Sequence, residues 1–200
     1  MKGYDDWDNM QEKEVGEVQR IPAGGYVMRI LGAEIAMSRN GNEMLNLALE
    51  VNEGEYKDYF AERFEQKKGF KADAKWPCIF RQLTRGNSAG YLKRLISNIE
   101  RSNQGYSFKA NNFDENTLKG KLVGFIFRDE EWDYNDKKDF TAKPYASRTV
   151  DDIRNKKFEV PKPLLLDGSK GDTSATSATT SNGNDMIDQS SKYDDMDVPF

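Results

Sequence analysis

Apolar and polar positions alternate along the first half of this chain in the way that strands require. Residues 25–31 read as a strand, Gly32 as a bulge that bends it, and residues 33–38 as its continuation. Asn40-Gly41 is a hairpin signal, since both residue types accept the positive φ of a type I′ turn. Beyond it Leu45, Leu47, Leu49 and Val51 alternate with Asn46, Ala48 and Glu50, the pattern of a half-buried strand. Gly54 separates this from a third predicted strand at residues 56–64, and residues 76–83 are expected to form a short helix. The period then changes. After Asn87 and Ser88, either of which can cap, Leu92, Leu95, Ile96 and Ile99 make one helical stripe, with Lys93, Arg94 and Arg101 off it. Gly105 ends this helical region. Residues 118–128 return to strand with Val123, Phe125 and Phe127 on one side; a polar turn at 135–139 precedes a last strand at 140–150, and residues 151–166 trail off through Pro161 and Pro163.

The predicted order is three strands, a helical insertion and two strands. That order predicts a mainly β domain of the OB-fold type, a five-stranded Greek-key β-barrel with the helix between strands three and four. An α+β domain with an antiparallel sheet is the alternative. Four regions follow: an acidic N-terminal arm at 1–20, the barrel domain at 21–166, a linker at 167–192 and an acidic tip at 193–200. The Ser, Thr, Gly and Asn content of 169–191 predicts disorder, because so few large apolar side chains cannot offset the entropy of ordering.

Charge sharpens this division. The net charge of −4 conceals −5 over residues 167–200 and −3 over residues 1–20, leaving +4 on the predicted barrel. A local basic face, rather than the overall balance, governs attraction of a polyanion. With no His and only Cys78, the usual Cys/His zinc sites, an internal disulfide and the Ser-His-Asp triad are all excluded. Cys78 reads as a small buried hydrophobe. No apolar run reaches the length of a membrane span and the first residues are acidic, so no membrane partner and a cytoplasmic location are expected.

Two stretches combine cations with flat rings, the chemistry that holds a single strand through phosphate contacts and base stacking. Residues 56–85 interleave seven rings with Lys57, Arg63, Lys67, Lys68, Lys71, Lys75, Arg81 and Arg85, against only four carboxylates. On strand phase, Lys57, Tyr59 and Arg63 would face the ligand and Phe60 and Phe64 the core. Tyr56, Lys67, Lys68, Lys71, Trp76, Arg81 and Arg85 complete this set of candidates, with Arg29 on the first strand. The second stretch surrounds the last hairpin, one wall of the groove in OB-folds. It holds Trp132, Tyr134, Lys137, Lys138, Phe140, Lys143 and Tyr145, of which Trp132, Tyr134, Lys137, Lys138 and Lys143 are the candidate contacts. The carboxylates among them, Asp129, Glu130, Glu131, Asp133, Asp136 and Asp139, are contiguous rather than spaced to one face, so a Mg²⁺ nuclease site is the weaker reading of that run. No phosphate-loop glycine pattern is present. Neither catalysis nor a cofactor is expected.

The last residues, Asp194-Asp195-Met196-Asp197-Val198-Pro199-Phe200, set an acidic run before an apolar tip. This stretch resembles the C-terminal tail of bacterial and bacteriophage single-stranded-DNA-binding proteins, where a linker carries an acidic tip ending in Ile-Pro-Phe. The resemblance covers only these residues. It implies that Asp194, Asp195, Asp197, Val198, Pro199 and Phe200 dock replication or recombination proteins such as a polymerase, helicase, primase or nuclease. The acidic arm and the long helical insertion suit a divergent, bacteriophage-encoded member. The expected function is thus non-catalytic, non-sequence-specific binding of single-stranded DNA in replication, recombination or repair. A replisome or recombination adaptor with weak DNA binding is the alternative, and monomer and homo-oligomer both stay open.

Overall fold

A computed structural model describes residues 20–134 and 137–166, with Lys137, a sequence candidate, described in its backbone alone and its side chain outside the description. The predicted linker and tip, and all of the predicted arm except Arg20, lie outside the described residues. The elements, in chain order, are β1 (Gly24–Met37), β2 (Glu43–Val51), α1 (Tyr59–Phe70), β3 (Ile79–Leu83), α2 (Ala89–Ser102), β4 (Leu122–Tyr134), β5 (Lys137–Arg148) and α3 (Val150–Arg154). The strands form one antiparallel sheet in the order β3-β2-β1-β4-β5. Three consecutive strands followed by a fourth that returns beside the first is a Greek key. Among the described residues the sheet is open: β3 pairs only with β2, and β5 only with β4.

The alternation in β1, β2 and β4 places its apolar residues as expected. Met28 and Ile30, Leu45 to Val51 at every second position, and Val123, Phe125 and Phe127 face one core, joined by Phe80 of β3, Phe60 of α1 and Leu95 and Ile99 of α2. Each large side chain removed from water there contributes roughly 1.5–3 kcal/mol before entropy is counted. Gly32 marks the bulge, where the β1/β2 register shifts. A second, smaller cluster lies on the opposite face, where α3 brings Val150 and Ile153 against Val27 and Ile126. α3 packs closely on the sheet: a methyl group on Gly124 would stand 2.6 Å from the Thr149 carbonyl oxygen.

Several local expectations are corrected. The β1/β2 connection is not a two-residue type I′ turn. Ser38 and Asn42 close a three-residue loop through bonds of 2.7 Å and 3.0 Å, and among its residues only Gly41 has positive φ. β2 is buried on both faces rather than one, with Asn46 and Glu50 at 0% and 1% exposure. The predicted strand at 56–64 is helix α1. Its Ala, Glu, Gln, Lys and Arg residues favour helix, and its start is fixed from outside: Glu50 of β2 accepts bonds from the Phe60 amide at 3.1 Å and the Ala61 amide at 2.6 Å. Glu50 supplies the cap that Asp58, held at φ 60°, does not. The helix expected at 76–83 is instead strand β3, because Pro77 interrupts helix formation and Cys78 begins a run that pairs with β2. β4 starts later than expected, at Leu122, after a 3₁₀ turn over Glu115–Leu118. β5 begins at Lys137, paired with Tyr134, rather than at residue 140; residues 135 and 136 of the expected polar turn lie outside the described residues. Residues 150–154 form α3, held by a capping box between Thr149 and Asp152. The order of three strands, α2 and two strands stands, with α1 inserted between β2 and β3.

Candidate nucleic-acid interface

Where the edges of β3 and β5 face each other without pairing, a cleft of about 550 Å³ opens. Four segments wall it. α1 contributes Tyr59, Arg63 and Lys67, spaced by four residues and so stacked on one helical stripe. The chain between α1 and β3 adds Lys75 and Trp76, β3 adds Phe80 and Arg81, and the β4/β5 hairpin adds Trp132, Phe140 and Lys143. Arg20 lines the cleft as well. Among the described residues, six cations thus meet a single carboxylate, Asp139, in a site also lined by six aromatic rings.

The rings are held, not merely present. Tyr59 Oη accepts a bond from the Ile21 amide at 3.1 Å and from Arg63 at 2.6 Å, and the Arg63 guanidinium lies 5.5 Å from the Tyr59 ring centre. Trp76 donates from Nε1 to the Leu49 carbonyl at 2.9 Å and packs on Phe64 with ring centres 5.3 Å apart. These bonds fix ring orientation while leaving Trp76 half-buried, the condition for a stacking platform. Arg63, Lys67 and Lys75 are exposed. Lys143 is anchored on Glu130 at 3.4 Å, and Glu130 also holds Arg128 at 2.9 Å in an almost fully buried pair. Arg128 in turn lies 4.4 Å from the Tyr145 ring centre. Arg20 grips both Asp129 oxygens at 3.0 Å and approaches Asp139 at 3.9 Å.

Burial pushes the Cys78 thiol well above its ordinary value, with the nearby Glu50 charge adding to the shift, so this wall residue is a protonated, unreactive thiol. Burial likewise raises Glu50, against the lowering effect of its amide donors. Among the described residues no three His, Cys, Asp or Glu side chains converge as metal ligands. Of the hairpin carboxylates, Asp129, Glu130 and Asp139 are committed to cations.

The cleft unites seven of the sequence candidates from two distant stretches: Tyr59, Arg63, Lys67, Trp76, Arg81, Trp132 and Lys143. Others lie apart from it. Tyr56 packs edge-on between Tyr26 and Tyr59 beside the core, and Lys57 is exposed ahead of α1. Arg29 pairs with Asp58 at 3.7 Å, Lys68 with Glu65 at 4.0 Å, Lys71 with Asp73 at 3.8 Å and Arg85 with Glu43 at 3.4 Å. Tyr134 and Lys138 are exposed toward the hairpin end, outside the cleft wall. Asp194, Asp195, Asp197, Val198, Pro199 and Phe200 lie outside the described residues. Arg20 had no sequence signal, since it stands in a polar arm, and Lys75 and Phe140 belonged to the two candidate stretches without being singled out as contacts within them.

No helix among the described residues is long and apolar enough to cross a membrane. No curated protein sequence matches the chain. Residues 8–76, about a third of the chain, are similar to a family described as "Protein of unknown function (DUF669)", a match that starts within the acidic arm and ends at Trp76 in the cleft.

Proposed function

We propose that this protein binds single-stranded DNA without sequence preference, laying the strand through the cleft between β3 and β5. The observation that carries the reading is the convergence there of two sequence-distant sets of cations and rings, six cations against one carboxylate among the described residues. Phosphates would meet Arg63, Lys67, Lys75 and Arg81, and bases would stack on Trp76, Trp132 and Phe140. The gap between unpaired strand edges admits a thin, bendable strand and is a poor fit for the rigid duplex. The Greek-key order, with α2 connecting β3 to β4, supports assignment of the sheet to the OB-fold as a partly open barrel. The protein acts as a binding module in replication, recombination or repair, and residues 194–200 recruit its partner proteins.

The test is a titration of the purified protein into labelled single-stranded and duplex oligonucleotides at two salt concentrations, with intrinsic Trp and Tyr emission followed alongside the label. Tight single-strand binding with quenching, weak duplex binding and steep salt dependence is expected. Absence of single-strand binding at low salt would refute the proposal and leave the adaptor role.

A further inference from the structure

Arg20, the first described residue, is itself a wall of the cleft. Besides gripping Asp129, it donates to the Phe140 carbonyl at 2.6 Å, while the adjoining Ile21 amide is bonded to Tyr59. The backbone is therefore fixed between α1 and β5 at the point where residues 1–19 join it. Those residues carry Asp5, Asp6, Asp8, Glu12, Glu14 and Glu17 against Lys2 and Lys13, a net charge of −4, with Tyr4 and Trp7 among them. Closely spaced anions interleaved with flat rings are the features by which the cleft would recognise a nucleic-acid strand.

We propose that residues 1–19 are a built-in occupant of the cleft, docking their carboxylates on its cations and their rings on its aromatic walls. The docking stands on charge and attachment alone; its consequence, competition with single-stranded DNA, rests on the function proposed above. Reach is sufficient. Asp8 is twelve residues from Arg20, a stretch whose contour allows a span of up to about 40 Å. A tether of this length holds the segment at an effective concentration on the order of millimolar, so even a millimolar intrinsic affinity leaves the cleft about half occupied. The apparent dissociation constant for DNA is then multiplied by one plus the ratio of effective concentration to arm dissociation constant, a factor of about 2–10.

Two experiments on the full-length chain test this. The first uses no DNA: zero-length carbodiimide cross-linking followed by peptide mass mapping. Amide bonds from the Asp and Glu residues of 1–19 to Lys67 and Lys75 are expected, diminished in Arg63→Ser and suppressed by high salt. Cross-links distributed as readily to Lys109, Lys119 and Lys156 would overturn the docking. The second compares the wild type with D5N/D6N/D8N/E12Q/E14Q/E17Q, reading affinity for a short labelled thymidine oligonucleotide at low salt. A gain of about 2–10-fold is expected, and it should vanish when Arg63→Ser and Lys67→Ser are added. A gain that persists in that background reflects general charge and would overturn the competition. Cleft cross-links together with no DNA binding by either protein would remove the single-strand reading while the docking stands.

Discussion

Replacing Arg63 and Lys67 together with Ser isolates the electrostatic part of the proposed interface. Both are exposed on the cleft side of α1, and among the described residues neither is paired with a carboxylate. Each can therefore give its full charge to a phosphate. For single strands the slope of log affinity against log salt is about −0.7 per phosphate neutralised, so loss of two contacts should make the slope shallower by about 1.4. Taking the missing counterion-release contribution as that slope times the logarithm of the salt concentration, affinity falls about 60-fold at ~50 mM salt and about 10-fold at ~200 mM. Fluorescence anisotropy over a salt series measures both quantities, and far-UV circular dichroism with a thermal melt checks that α1 survives. The paired control is Lys68→Ser with Lys71→Ser, on the same helical region but outside the cleft wall and already facing Glu65 and Asp73; its slope should change by less than about 0.5. An unchanged slope in the cleft variant, or an equal change in both, would refute placement of the strand in this cleft.

Trp132→Ala removes a ring without a charge, so affinity should drop by about 1–3 kcal/mol while the salt slope holds; a changed slope in the same anisotropy series would count against stacking. Deleting residues 194–200 should abolish capture of replication or recombination partners and leave DNA affinity equal or higher, and a large loss of DNA affinity would contradict the proposed division of labour. Glu50→Ala strips the acceptor from the first amides of α1 and should cost about 1–3 kcal/mol in a denaturant melt. Because burial raises Glu50 above 4.5, the native state holds its proton more tightly than the unfolded chain, so this group's contribution to stability declines as pH rises through the window above that value. Glu50→Gln should flatten that portion of the stability profile, and an unaltered profile would disprove the assignment. Gly124→Ala should displace α3 and cost about 1–3 kcal/mol, read as a lower melting temperature.

Much of the sheet was readable from its alternation because burial selects residues two apart wherever one face meets the core. The failures have specific physical causes. β2 alternates Leu with Asn, Ala and Glu, yet both faces are covered, since Glu50 is turned to serve as the cap of another element. No local pattern announces that use, because the α1 amides it satisfies lie about ten residues away. β3 was missed because Trp76 and Cys78 to Phe80 carry no period that separates helix from strand, and only pairing with Leu45 to Ala48 decides the matter. The cleft itself was beyond a linear reading: it exists because β3 and β5 approach without closing, a property of the whole sheet.

The assignment of α1 as a strand shows why Tyr59, Arg63 and Lys67 nevertheless come together on one face in the structure. Tyr59, Arg63 and Lys67 are separated by four residues, as are Phe60 and Phe64. Four is a whole number of strand repeats and close to one helical turn, so both geometries keep each set on one face. Phe60 reaches the core and Phe64 meets Trp76, whereas Tyr59, Arg63 and Lys67 line the cleft. Lys57, two residues from Tyr59, belongs to that face only if the segment is a strand. In the structure it stands ahead of the helix and drops out of the site. The spacing of candidate side chains can therefore survive an error in the element that carries them, and it fails where the two periods diverge. This gives the cleft assignment an internal check: Lys57→Ser should leave the salt slope near that of the wild type, whereas Arg63→Ser alone should make it shallower by about 0.7.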